Sequence, residues 1–358
     1  MNEAERYDKF INFETVDHPP MWLPGAPFEI TRQRWEKEGL PAGVDLAEYF
    51  EIDQPPCHHL GIDTLLVPKF EEEILEQNDE FIVKIDHNGV KCRNFLDETS
   101  MSEHLEYPIK GPEDISWLKE RLSVDAPGRI ETDWLEKAET LRKNGGMTFL
   151  NGGMYFGFLN EHMGTEMFMM AYFDNPEFVH QVNELLCSLC EFGLKTALPH
   201  FVPDAMGYHE DMAYKNGSMI SPDMFREFMT PYYKRVTALT EPHNISDHRM
   251  DSDGDIRELI PLWLECGINH FTPLEVAAGM DVVALRAEYG QTIKMSGGFD
   301  KRILSSSKDL IKKEFERLIP VIDGGGYMVA CDHMVPHNVP FENYAYLIEL
   351  MKVHFGVK

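Results

Sequence analysis

The 358-residue sequence predicts an α/β protein, a single TIM-like (β/α)8 barrel with an N-terminal extension that contains a β-hairpin. Three observations predict it. From Met147 onward the short apolar runs MTFLNGG, AMGYHED, HNISDHR, INHFTPLE, IKMSGG and GYMVACDH each lead through a loop into a helical segment, and alternation of this kind builds a parallel sheet. Polar residues gather where those runs end, which is where a barrel assembles its active site. Neither G-x-G-x-x-G after a strand nor G-x-x-x-x-G-K-[ST] occurs, so open nucleotide-binding sheets lose their main signature. Barrels often run past ~250 residues as one domain. The chain therefore reads as one domain over 1–358, with an irregular N-terminal part over 1–145 and the main repeats over 146–358.

In chain order, ITRQRWEKEG is a short helical piece of the Pro-rich and charged first part. EEEILEQNDEFIVKIDHNGVKCRNF alternates apolar and polar residues on both sides of Asn88-Gly89, a dipeptide whose positive φ values suit a tight hairpin turn packed outside the barrel or over its mouth. Asn175-Pro176 opens the helix NPEFVHQVNELLCSLCEFGLKTAL, and Ser221-Pro222 opens SPDMFREFMTPYYKRVTALT, each with a capping side chain followed by Pro at the first helical position.

Charge removes whole classes of function. With 33 basic and 61 acidic side chains the net charge is −28, which repels phosphate backbones and anionic lipid, and no Lys/Arg cluster reverses the sign locally. Neither a nucleic acid nor a membrane is expected as a partner. No apolar run approaches the ~20 residues of a spanning helix, and MNEAERYDKF lacks the features of a secretory signal, so a cytoplasmic protein is expected. Six scattered cysteines fit a reducing compartment.

The candidate chemistry lies at the strand ends. His209, Glu210 and Asp211 end one run; Asp247, His248, Asp251, Asp253 and Asp255 follow the next; Glu275 ends a third; Asp332, His333 and His337 follow the last. Carboxylates and imidazoles drawn from different strands supply either an open zinc site or general acids and bases. Cys187 and Cys190 sit among leucines of an amphipathic helix and read as core, and Cys57-His58-His59 reads as loop. Met154, Tyr155 and Phe156 begin a Met- and aromatic-rich stretch suited to lining a pocket for a flat apolar ligand, beside Gly152-Gly153.

Four segments, RYDKFINFETVDHPPMW, HEDMAYKNGSMISPDMFREFMTPYYKRV, DSDGDIRELIPLWLECGINHFTPLE and GGYMVACDHMVPHNVPFENY, together with SGGFDKRIL, resemble the uroporphyrinogen decarboxylase superfamily in order along nearly the whole chain. The resemblance implies a single TIM-like barrel. True decarboxylases carry an arginine-rich segment just after the N-terminal Pro-x-Trp, whereas here Pro20-Met21-Trp22 is followed by LPGAPFE with no arginine before Arg32. The sequence is therefore more similar to the corrinoid-dependent methyltransferases, either methyltransferase I components of O-demethylases or coenzyme M methyltransferases.

That resemblance implies transfer of a methyl group from a small methoxy- or methylamine-type donor to the cobalt of a corrinoid (cobalamin) carried by a partner protein. A cofactor-independent decarboxylase acting on a small or tetrapyrrole acid is the alternative, and a non-catalytic binding barrel the third reading. In the coenzyme M enzymes a His-x-Cys pair and a later Cys hold zinc; the matching positions here are Asp251-Ser252-Asp253 and Cys331-Asp332-His333. The resemblance thus implies zinc on Glu210, Asp253 and His333, with His248, Asp251 and Asp332 in catalytic support and Trp22, Met154, Tyr155, Phe156 and Tyr208 around the substrate. The partners expected are the small-molecule donor and a corrinoid protein, and a homodimer is compatible with the sequence.

Overall fold

The computed structural model describes residues 1–52, 54–96 and 102–357. Seven parallel strands form one curled sheet in strict chain order: β1 (Cys57–His59), β2 (Met147–Gly153), β3 (Ala205–His209), β4 (His248–Asp251), β5 (His270–Thr272), β6 (Lys294–Phe299) and β7 (Tyr327–Cys331). Each strand pairs with the next, the order of a singly wound barrel. The six runs read from the sequence are β2 to β7. Cys57-His58-His59, read as loop, is instead β1, paired in register with Met147, Thr148 and Phe149. Three polar residues in a row give no alternation by which a strand could be recognised.

Regular eight-strand closure is not seen among the described residues. The gap between β7 and β1 is covered by the extended segment from Met21 to Phe28. Cys331 N–H donates to the Pro24 carbonyl and Val335 N–H to Ala26, Phe28 N–H returns to Val335, and Leu23 N–H reaches the Gln54 side chain at 3.0 Å just before β1. Pro19, Pro20, Pro24 and Pro27 remove the donors that a full ladder would need, so the eighth position is filled without becoming a strand.

The helices cover the outer face. Pro176–Ala197 carries its apolar stripe, Cys187 and Cys190 included, into the core, and Ser221 caps the next helix by accepting from Met224 N–H. The segment after Ser221 forms two helices, Pro222–Phe228 and Thr230–Thr240, because Pro231 restarts the helix rather than continuing it. Beneath the strands, the helix Glu3–Ile11 forms a floor: Gly326 N–H donates to the Phe10 carbonyl, and Tyr7 packs with Phe10, Met147 and Met328.

Phe81–Ile85 and Lys91–Phe95 pair antiparallel on either side of Asn88-Gly89, inside a four-stranded sheet with Glu73–Gln77 and Glu103–Glu106. Here only Gly89 of the dipeptide takes positive φ, at 81°. The Asp86 carboxylate accepts from Asn88 and Val90 N–H, both at 2.9 Å, and so favours a three-residue loop over the two-residue turn. Asp86 acts electrostatically on Glu161 and His162, which sets the hairpin tip on the side of the barrel where the strands end.

Gly297, in β6, shows how closely the strand-end loops pack. It has φ 97°, and a Cβ there would lie 2.0 Å from the Pro273 carbonyl oxygen. Gly297→Ala is expected to cost about 3 kcal/mol or more, from the left-handed backbone and the backbone clash together. Urea unfolding midpoints measure this, and a loss below about 1 kcal/mol would contradict the packing described.

Candidate active site

Alternation along β4 decides which candidates reach the interior. Arg249 and Asp251 face inward, while His248 and Met250 face the helices. His248 is buried: its Nδ1 accepts from the Tyr208 hydroxyl, Nε2 donates to the Ile245 carbonyl and lies 3.0 Å from Thr240 Oγ1, and burial lowers its pKa to about 4. His248 and Tyr208 thus satisfy each other, His248 on the helix side of the sheet, while Tyr208 remains among the residues around the cavity. His248 and Asp251 are three residues apart on a strand, which puts them on opposite faces.

Glu210 is not free to hold a metal. Its fully buried carboxylate accepts the N–H groups of Tyr155 (2.8 Å), Phe156 (2.7 Å) and Gly157 (2.7 Å), and the Tyr233 hydroxyl also donates to it. Burial raises its pKa while these four donors pull it down. The helix Gly157–Met163 has no capping side chain of its own, so the carboxylate at the end of β3 satisfies the first amides after β2. Tyr155 and Phe156 therefore contribute their backbones here; their rings are buried against Tyr232, Tyr233 and Phe168, within the core.

Asp332 is likewise occupied. It is buried, which raises its pKa, and it accepts from Val276 N–H and Lys301 N–H, both at 3.0 Å, joining the loops that follow β5 and β6. Its role is to hold those loops. Asp253 and His333 do meet, with His333 Nε2 3.8 Å from Asp253 Oδ2. Burial, with Asp211 and Glu275 nearby, raises Asp253 to about 6. Among the described residues no group of three or more His, Cys, Asp or Glu side chains is placed to hold a metal ion, and Glu210 is saturated by its donors. This donor set does not fit the zinc site expected from the resemblance.

The structure draws together a different group. His209, at the end of β3, lies with Nε2 3.4 Å from Asp211 and 3.9 Å from Glu161, and with Nδ1 3.7 Å from Asp251. Asp211 and then Asp251 raise its pKa to about 11, so the imidazole is a cation at neutral pH. Asp211 adopts φ 46°, a left-handed conformation uncommon outside glycine, which turns its carboxylate back toward His209 and onto Asp253 N–H at 3.0 Å. Glu275 accepts from Gly254 N–H at 3.1 Å, continuing the same pattern of carboxylates gripping main-chain amides around the mouth.

Below His209 opens a cavity of about 790 Å3, of the size that encloses a small ligand. Trp22, Met154, Phe149 and Leu65 give it apolar walls, while Glu161, His209, Asp251 and Arg249 line it with charge. Of the residues named from the sequence, Asp251, Trp22, Met154 and Tyr208 lie around the cavity. His209 stood among the strand-end residues but was not singled out, and Glu161 and Arg249 were missed. Parity along β4, counted back from Asp251, is the signal that points to Arg249.

The uroporphyrinogen decarboxylase (URO-D) family model matches residues 159–354. No curated protein matches the sequence. A solved methyltransferase from Methanosarcina mazei is similar in fold, with TM-score 0.62 and 15% identity over 99% of each chain. A B12-independent methionine synthase from Shewanella sp. W3-18-1, solved with selenomethionine, aligns at TM-score 0.42 and 8% identity over 95% of this chain and 94% of its own.

Proposed function

The chain belongs to the uroporphyrinogen decarboxylase family, and from that premise we propose that it is a methyltransferase. It would move a methyl group from a small methoxy- or methylamine-type donor, held in the cavity, to the cobalt of a corrinoid carried by a partner protein. The observation that carries this reading is an imidazole at the mouth of the cavity, His209 above Trp22 and Met154, ringed by the Asp211, Asp251 and Glu161 carboxylates that favour its protonated form. The methyltransferase that shares its fold over nearly its full length supports the class of reaction.

A reduced corrinoid supplies the nucleophile that takes the methyl group. The chain's task is the leaving group. For a methoxy donor the bond from the methyl carbon to oxygen breaks, its electron pair stays on oxygen, and a proton from His209 neutralises that oxygen. For a methylamine-type donor the pair stays on nitrogen, and the leaving amine is neutral once a protonated or quaternary nitrogen has lost the methyl group. An acid near pKa 11 is matched to a phenol leaving group of about 10, so the transfer is close to balanced. Asp211 and Asp251 hold the ring and its charge in place, and Trp22, Phe149 and Met154 exclude water around the donor. No step is assigned to a metal.

The test is anaerobic incubation of the purified protein with cob(I)alamin and a panel of methoxy- and methylamine-type donors, following the loss of Co(I) absorbance. A protein-dependent rate with at least one donor is expected. Absence of any such rate, with decarboxylation of a small acid instead, would move the assignment to the lyase reading.

A further inference from the structure

We propose that the cavity carries a carboxylate site at its floor, where Arg249 binds the anionic end of the ligand whose other end lies at His209. Calling that ligand the methyl donor rests on the reading above; the site itself does not.

Arg249 is the cavity's deep cation. Its side chain is 31% exposed, and it lines the cavity. Among the described residues its hydrogen bonds run through Nη2 alone, to Asp247 Oδ2 at 3.1 Å and to the Tyr7 hydroxyl. Nε is buried without a partner. A guanidinium has five N–H donors in a fixed fork, so most of this one's donor capacity is unspent. Trp22, stacked on Tyr7 at 4.8 Å and lining the same cavity, also has a buried indole N–H without a partner. Unsatisfied donors clustered on one charged wall are the mark of a missing acceptor.

Charge at the floor agrees. Asp247 is the one buried carboxylate there, and it is shared: His270 Nδ1 donates to it at 2.6 Å and Tyr7 at 2.7 Å. Burial works against its ionisation, yet His270, Arg249 and Lys294 hold it well below the usual range. Arg249 inside the cavity and Lys294 outside it, its ammonium held by Asn12 and Ser246, thus both act on one buried anion, with Asp8 acting on Lys294 from the exposed surface. Burial pushes the neighbouring Cys57 thiol up, so it does not compete as an anion. Arg129, the other arginine lining the cavity, spends its guanidinium on the carbonyls of Ser123, Asp63, Leu65 and Arg121, so the single fork of Arg249 suits a planar monoanion such as a carboxylate.

Arg249 precedes Asp251 by two residues on β4, roughly 7 Å along the strand, and its head reaches down to Tyr7. The ligand therefore places a body about as long as an aromatic ring between its carboxylate and its reacting end.

Binding in the absence of any corrinoid tests this independently of methyl transfer. Isothermal titration of the wild-type protein with benzoate and with benzamide compares a carboxylate with its neutral isostere. Benzoate is expected to bind about ten-fold more tightly or better. In Arg249→Met the two should come within about two-fold of each other, and Arg249→Lys, which keeps the charge but not the fork, should fall between. Asp247 retains Tyr7 and His270 in both variants, and the wild-type comparison depends on neither. Failure of benzoate to bind, equal binding of benzamide, or a preference that survives in Arg249→Met overturns the proposal. A preference for benzoate that vanishes in Arg249→Met upholds it even where no donor reacts with cob(I)alamin.

Discussion

Glu210→Ala is expected to destabilise the protein by about 3–5 kcal/mol, because it strands three buried backbone N–H groups and the Tyr233 hydroxyl at once. An unsatisfied buried donor costs about 1–3 kcal/mol, and water entering the vacated space recovers part of the sum. Glu210→Gln keeps one oxygen acceptor but turns an N–H2 toward other N–H groups, so it should fall between wild type and Glu210→Ala. Chemical denaturation gives the values directly. A loss under about 1 kcal/mol in the alanine variant would show that the carboxylate is not the anchor of the helix Gly157–Met163.

His209→Ala is expected to lower methyl transfer to cob(I)alamin by about 10²- to 10⁴-fold while donor binding changes little, the pattern of a lost proton donor. His333→Ala removes only a loose partner of Asp253 and should cost less than about ten-fold, since the leaving-group proton is assigned to His209. The protonated state of His209 also shapes the pH response. Asp211 and Asp251 raise its folded pKa above the unfolded value, so its contribution is fully present below about pH 6.5 and fades only as pH climbs toward about 11. Rates that depend on it should therefore be flat between about pH 6 and 8, where an ordinary histidine would titrate. A histidine-like fall in that window, or full activity in His209→Ala, would remove it from the mechanism.

The strand and helix pattern after Met147 was legible because each strand there is an apolar run ended by polar residues. β1 was not, since Cys57-His58-His59 is flanked by two cavities rather than a packed core and carries no apolar signature. Nor was the eighth position, where proline supplies the shape of a strand without its ladder. In the site, residue type pointed to the correct strand ends but not to each side chain's duty. In sequence Glu210 reads as a metal ligand and Asp332 as catalytic support, and only the partners they meet, most of them backbone amides, reveal them as fasteners. His248 and Asp251 are separable from sequence once strand parity is applied, and the same count brings Arg249 into the interior. The closeness of Asp211 to His209 depends on a left-handed backbone at an aspartate, which composition does not announce.

The way these carboxylates fasten the mouth has an evolutionary consequence. Glu210, Asp332, Asp211 and Glu275 grip the main chain of Tyr155, Phe156, Gly157, Val276, Lys301, Asp253 and Gly254, so the frame depends little on which side chains those loop positions carry. Selection can therefore exchange side-chain chemistry at half-buried positions such as Lys301 and Asp253 while the loops keep their course. A scaffold fastened through its amides is free to diversify its substrates by single substitutions, each of which leaves the protein folded while a new activity is tried.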